Sequence, residues 1–158
     1  MFAFSKTLLM SAGLLSAMAL TACAAATPAV VEQSAVTRTL PPCPDSPNCV
    51  STQALREDAQ HYIEPITYTG SAADARRRLL DVIAAMPRTK IVTDEETYIH
   101  ATFTSLIFRF VDDVQFVIDD ATKTIHFRSA SRIGRGDLGV NRKRMEEIRT
   151  RFNQAAAA

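Results

Sequence analysis

Apolar and polar residues alternate along three consecutive segments in the second half of the chain, residues 97–105, 110–118 and 123–129. Alternation with a period of two is typical of a β-strand that is buried on one face. The links between these segments are short, and one contains the turn-forming pair Asp119 and Asp120. Since no crossover helix fits into such links, the segments are predicted to be consecutive antiparallel strands.

Two other segments show helical spacing. Residues 72–86 follow Ser71, a residue typical of an N-cap, and end before Pro87. A second helix is predicted to begin at Asn141, also as an N-cap. Its apolar face consists of Met145, Ile148 and Phe152.

Together with two shorter β-rich segments, residues 61–68 and 90–93, these elements predict an α+β fold. We expect an antiparallel sheet of four to five strands with two helices packed on one face. The 158 residues, 47% of them hydrophobic, suffice for one such domain. The formal net charge of +1 lacks the basic excess of nucleic-acid binding proteins, so neither DNA nor RNA is an expected partner.

The N-terminus carries the pattern of a bacterial lipoprotein signal peptide. Lys6 precedes an apolar run, residues 7–20, that is shorter than the roughly 20 residues of a membrane-spanning helix. The run leads into Leu20-Thr21-Ala22-Cys23, which resembles the lipobox in which the cysteine thiol is acylated. Residues 1–22 are therefore predicted to be removed and Cys23 to become a lipid-anchored N-terminus. Ala24 in place of Asp favours the outer membrane, with the domain facing the periplasm.

The rest of the chain divides by composition. Residues 23–40 are rich in Ala and Thr without sustained periodicity, so we expect a lipidated, flexible tether. The single α+β domain is predicted over residues 41–153. Residues 154–158 end in four alanines and are expected to fray.

The two remaining cysteines, Cys43 and Cys49, are predicted to form a disulfide, because an even pair on an exported chain is typical of one. Prolines 42, 44 and 47 bend the segment between and around them, so the thiols can meet across a tight loop. Reduced structural thiols and a metal or redox pair are the alternatives.

A segment rich in glycine and arginine separates the last predicted strand from the last helix. It contains three of the five glycines, and residues 128–151 hold eight basic and three acidic side chains. Glycine frees backbone N–H groups and a helix N-terminus attracts anions, so the segment is a candidate anion site. The equally open interpretation is that its arginines pair with nearby carboxylates and only fasten the loop. The candidate residues are Arg128, Ser129, Ser131, Arg132, Gly134, Arg135, Gly136, Asn141 and Arg142.

No cofactor or metal is predicted. Gly134, Gly136 and Gly139 have the spacing of a dinucleotide fingerprint, but that motif needs a βαβ unit and no strand follows here. The histidines lack the spacing of metal ligands; they are His61, His100 and His126.

Asp112 and Asp113 are the only candidates for catalysis. Asp112 shares its parity with Val114 and Phe116, so one carboxylate is expected on the core side, with an arginine from the neighbouring strand as its partner. A bulge that turns both carboxylates to solvent is the alternative. Adjacent strand residues point to opposite faces, which disfavours an acid–base pair acting on one substrate.

Three separated motifs resemble the family known as domain of unknown function 1499. They are Cys43 to Cys49 with Gln53, His61 and Pro65, then Phe110 to Phe116, then Arg128 to Arg144. The resemblance covers residues 41–152 and implies a small exported or membrane-attached protein. The family has no established activity, so the resemblance implies no catalytic role; Gln115, where many relatives have Glu, weakens a carboxylate mechanism further.

The sequence therefore predicts a membrane-anchored envelope lipoprotein that acts as a non-enzymatic binding module for an anionic lipid or glycan. The alternative is a hydrolase or transferase that uses Asp112 or Asp113 with the arginine-rich loop. No pattern in the sequence predicts an oligomeric state.

Overall fold

A computed structural model describes residues 38–157 of the chain. The predicted signal peptide, the predicted acylation site Cys23 and most of the predicted tether lie outside the described residues, as does Ala158. Among the described residues, no helix has the length and apolar character needed to cross a membrane.

Six strands and two helices make up the described domain. The strands are β1 (Cys49–Ser51), β2 (Ile66–Thr67), β3 (Thr89–Asp94), β4 (Tyr98–Thr104), β5 (Val111–Asp119) and β6 (Thr124–Ser131). The helices are α1 (Ala72–Ala84), between β2 and β3, and α2 (Val140–Ala156), after β6. The order confirms the predicted α+β class, with an antiparallel sheet.

The sheet has more strands than the four to five expected. Its order is β1-β6-β5-β4-β3, and β2 pairs with the same edge of β6 as β1. The two added pairings are short: Cys49 is paired with Ala130 and Ile66 with Ile125. Of the predicted 61–68 segment only β2 is a strand, because Pro65 has no N–H to donate to a ladder.

The N-cap predicted from the sequence is correct for α1 and wrong for α2. At α1 the Ser71 side chain accepts a hydrogen bond from the Asp74 N–H, as predicted for an N-cap. At α2 the expected cap is wrong: Gly139, with φ of 75°, precedes the helix, and Asn141 lies inside its first turn, fully buried. The α2 helix runs to Ala156, past the predicted domain end at residue 153.

The core lies between one face of the sheet and the two helices. The largest fully buried side chains from the strands include Ile99, Phe116 and Phe127, which are paired across β4, β5 and β6 and so share a face. Helices contribute Leu79 and Phe152 to the same cluster. The opposite sheet face is polar, so both helices pack on one face as predicted.

Candidate functional site

Two loops lie side by side at one end of the sheet. The first, residues 105–110, joins β4 to β5, and the second, residues 132–139, joins β6 to α2. They are neighbours because of the strand pairing. Thr104 at the end of β4 is paired with Val111, and Asp112 near the start of β5 is paired with Ser131 at the end of β6.

Within residues 38–157, these loops and the start of α2 carry most of the large apolar side chains that are exposed. Nine large hydrophobic side chains are exposed among residues 38–157, and seven of them lie at this end. Leu106, Ile107 and Leu138 are 70%, 79% and 95% exposed. Monomeric proteins seldom gather apolar side chains in this way without a binding role. We call the seven the apolar tip: Leu106, Ile107, Phe108, Phe110, Ile133, Leu138 and Val140.

A groove of about 240 Å³ lies within the apolar tip. Its apolar walls include Phe108 and Phe110, whose rings stack with centroids 5.5 Å apart. Its polar lining consists of Ser105, Asp112, Ser131 and Asp137. An apolar cavity with a few converging polar groups is the arrangement typical of a small-ligand site.

A buried ion pair lies beside this groove. Arg144 of α2 donates from Nη2 to Asp112 Oδ2 at 2.6 Å, and the side chains are only 10% and 6% exposed. The guanidinium also lies over the Phe103 ring, 4.8 Å from its centroid. Asp112 therefore lies on the core side, as predicted, but its partner comes from the helix and not from the neighbouring strand.

Asn141 connects this ion pair to the rest of the site. Its Oδ1 accepts hydrogen bonds from Arg144 Nη1 at 2.7 Å and from Ser129 Oγ at 2.5 Å. Its Nδ2 donates to Asp137 Oδ2 at 2.7 Å and to Ser131 Oγ at 3.1 Å. Asp137 also accepts the Asn141 N–H, so the carboxylate of Asp137 does at the helix start what Asn141 was expected to do.

Asp113 lies on the opposite face of the sheet. Arg132 binds its carboxylate with two hydrogen bonds, at 2.8 and 2.9 Å, and His100 Nε2 lies 2.7 Å from its Oδ1. Hydrogen bonding from Arg132, and less so from His100, lowers the pKa of Asp113. An arginine that follows the neighbouring strand thus binds an aspartate, but Arg132 pairs with Asp113 on the polar face and not with the core-side Asp112, and the bulge is not formed.

The predicted anion-binding residues do not converge. Ser129 and Asn141 are buried in the core-side network, whereas Arg132 is bound to Asp113 on the opposite face. Arg142 donates to the Ala59 and Gln60 carbonyls, and Arg128 to the Pro42 carbonyl. These contacts favour the interpretation that most of the arginines fasten the loop.

The remaining candidate residues of the anion site lie in different surroundings. Burial lowers the pKa of the Arg128 guanidinium by desolvation. Ser131 and Gly136 line the groove, and the Gly134 carbonyl accepts a hydrogen bond. Arg135 is exposed.

The predicted disulfide is present and supports the second loop. Cys43 and Cys49 are bonded, with Cα atoms 5.7 Å apart. Within the loop they close, Asn48 donates from Nδ2 to the Gly134 carbonyl at 2.7 Å. The Asn48 carbonyl accepts from Ser131 N and from Asn141 Nδ2, both at 3.1 Å. The disulfide loop therefore holds the strand end and the glycine-rich loop together.

Sequence reasoning missed the apolar tip and the role of Arg144. The signal for the tip was the run Leu106-Ile107-Phe108, which lies in a link between strands and therefore belongs to no alternating pattern. In the described part of the chain, no group of three or more metal-ligating side chains comes together.

A family model described as "Protein of unknown function (DUF1499)" matches residues 39–152 of the chain. No curated protein matches the chain. The matched range contains both loops, the groove and the buried network.

Proposed function

The chain belongs to the DUF1499 family of proteins of unknown function, and we propose that the domain of this member binds an anionic lipid surface through its apolar tip. The observation that carries the proposal is the gathering of seven exposed apolar side chains on two adjacent loops and the following helix start. Apolar side chains that enter the boundary between headgroups and acyl chains are removed from water, and this favours binding.

Charge around the tip supports an anionic surface in particular. Arg109 lies between two tip residues, and Arg135 and Lys143 lie in and just after the second loop. Arg88 donates to the carbonyl of Thr104, beside the first loop. Within residues 38–157, none of these four side chains has a carboxylate at salt-bridge distance. Each basic side chain near an anionic membrane contributes about 1 kcal/mol to binding.

We further propose that the protein is a lipoprotein anchored through Cys23 and facing the periplasm from the outer membrane. Arg38, the first described residue, lies over the Tyr98 ring at 4.0 Å, at the end of β4 remote from the tip. The seven residues of β4 span about 23 Å. The sixteen residues from Cys23 to Arg38 make fifteen steps and can span at most about 50 Å, so this length allows anchor and tip to reach one bilayer.

The enzymatic alternative has less support. A carboxylate that acts as an acid or base must exchange a proton with a substrate. Guanidinium groups bind both aspartates, Arg144 on Asp112 and Arg132 on Asp113, and the two carboxylates lie on opposite faces of the sheet. One substrate could therefore not meet both.

The test uses the mature chain with Cys23→Ser, which removes the anchor, and vesicles of phosphatidylglycerol or phosphatidylcholine. We expect binding to sediment the protein with the anionic vesicles and to weaken as salt rises. Leu106→Ser with Ile107→Ser should lower the partition coefficient roughly 30-fold, if about 1 kcal/mol is lost per side chain.

The matched control is Leu55→Ser, because Leu55 is 76% exposed but lies outside the tip. It should bind like the parent chain. Equal binding to both lipids, or equal losses in the tip and control variants, would contradict lipid docking. Binding to an anionic glycan but not to vesicles would favour the glycan that the sequence also allowed.

A further inference from the structure

The groove has features that docking on a membrane does not require. It is lined by Phe108, Phe110 and other tip residues but not by the exposed Leu106 and Ile107. Its volume of about 240 Å³ lies just below the roughly 300–1,000 Å³ of pockets that enclose drug-sized ligands. The groove can therefore take a short apolar segment with a small polar end.

The polar lining offers a free acceptor at Asp112 and a free hydroxyl donor at Ser131. Ser105 Oγ, which accepts from the Phe110 N–H, adds a second hydroxyl. Asp112 is 4% exposed and binds Arg144 through Oδ2, while its Oδ1 accepts no hydrogen bond from the described residues. Ser131 Oγ accepts from Asn141 Nδ2, and in the same part of the chain its own hydroxyl proton meets no acceptor. A ligand group that pairs with both replaces the water that these groups otherwise bind, and so is recognised by them.

The charge of the lining restricts that ligand. Asp112 and Asp137 both present carboxylates to the groove, whereas Arg144, which neutralises Asp112, does not line it. A carboxylate or phosphate placed there would lie against like charge. A hydroxyl group can donate to Asp112 Oδ1 and accept from Ser131 Oγ without that repulsion.

We propose that the groove binds a single-chain lipid whose polar end is uncharged and carries hydroxyl groups, as in a monoacylglycerol. The hydroxyl end pairs with Asp112 and Ser131, and the acyl chain lies between the rings of Phe108 and Phe110 and the aliphatic walls. This site does not depend on membrane docking, since its ligand can enter from solution.

The experiment is calorimetric titration of the Cys23→Ser chain, without vesicles, with monooctanoylglycerol below its micelle concentration. Octanoate is the matched ligand, with the same chain and a charged end. At neutral pH we expect the glyceride to bind at least tenfold more tightly than octanoate. Octanoate binding equal to or tighter than the glyceride, or no glyceride binding, would overturn the proposal.

Two variants locate the site. Ser131→Ala should weaken glyceride binding three- to tenfold, and Phe110→Ser at least tenfold, while Leu55→Ser binds normally. A thermal melt of each variant checks its fold, and Ser131→Ala carries the test if Phe110→Ser fails to fold. Unchanged affinity in Ser131→Ala would overturn the proposed contact. Vesicle binding without glyceride binding would overturn this proposal and leave membrane docking in place. Glyceride binding without vesicle binding would overturn membrane docking and leave this proposal in place.

Discussion

Replacing Arg144 with methionine should destabilise the domain far more than the same change at Arg132. Both arginines bind a carboxylate, and the two carboxylates are neighbours in sequence. The Arg144 and Asp112 side chains are 10% and 6% exposed, whereas those of Arg132 and Asp113 are 51% and 26% exposed. Arg144→Met leaves the buried carboxylate of Asp112 without a charged partner, whereas Arg132→Met leaves the carboxylate of Asp113 accessible to water.

The magnitudes follow from these exposures. Loss of one member of a buried ion pair lowers the free energy of unfolding by about 3–5 kcal/mol. Because Arg144 also donates to Asn141 and Ser129, we expect Arg144→Met to lie toward the upper end of this range. A solvent-accessible pair such as Arg132 with Asp113 contributes about 0–1 kcal/mol. Domains of this kind have a total stability of about 5–15 kcal/mol, so only the first variant should approach unfolding.

Urea denaturation followed by circular dichroism measures both losses. Arg144→Met should lower the midpoint by about 2 M, and Arg132→Met by less than about 0.5 M, at unchanged slope. Adding Asp112→Leu to Arg144→Met removes the unpaired charge and should restore about 2 kcal/mol or more. The reasoning fails if the two single variants lose similar stability, or if the double variant is less stable than Arg144→Met alone.

Three further outcomes follow from single contacts. Arg132 holds the pKa of Asp113 below its ordinary value of 3.8. The stability that this pair contributes is therefore present above pH 3.8 and is lost as the pH falls through the lowered pKa. Denaturation curves of the parent chain and of Arg132→Met should consequently converge in acid. Burial, and then the hydrogen bond with Asp120, raise the pKa of Tyr68 from 10.0 to about 12. The protonated Tyr68 therefore contributes to the free energy of unfolding below pH 10, and this contribution is lost as the pH rises through about 12. Tyr68→Phe should remove the last tyrosine step from an ultraviolet titration. Reducing the Cys43–Cys49 disulfide should cost about 2 kcal/mol of unfolding free energy, measured by denaturation with and without reductant.

The parts of the fold that the sequence predicted are those with long periodic patterns. Alternation over residues 97–105 and 123–129 predicted β4 and β6 to within a residue or two of their observed ends. Ser71 was predicted as a cap from its residue type, and its hydrogen-bond partner Asp74 lies only three residues further along the chain. In both cases the contacts that stabilise the element lie close together in the chain.

The parts that were missed depend on contacts between distant segments. β1 and β2 have three and two residues, too few for a period, and exist because the free edge of β6 pairs with them. Asn141 has the composition of a cap, but Asn48, 93 residues away, binds its side-chain amide and draws it into the core. No local pattern records that contact.

The glycine- and arginine-rich segment illustrates why a cluster in sequence need not be a site in space. Strand alternation sends Arg128 and Arg132 to the polar face and Ser129 and Ser131 to the helix side, so neighbours in the chain are separated by the sheet. The turn of α2 then directs Arg144 inward to Asp112. What remains at the surface beside these bound arginines is the apolar tip with the exposed Arg135, and the buried network of Asn141 and Arg144 supports that surface from beneath. Binding by this domain is therefore best sought at the apolar tip and its groove, for which the charged residues provide the rigid support.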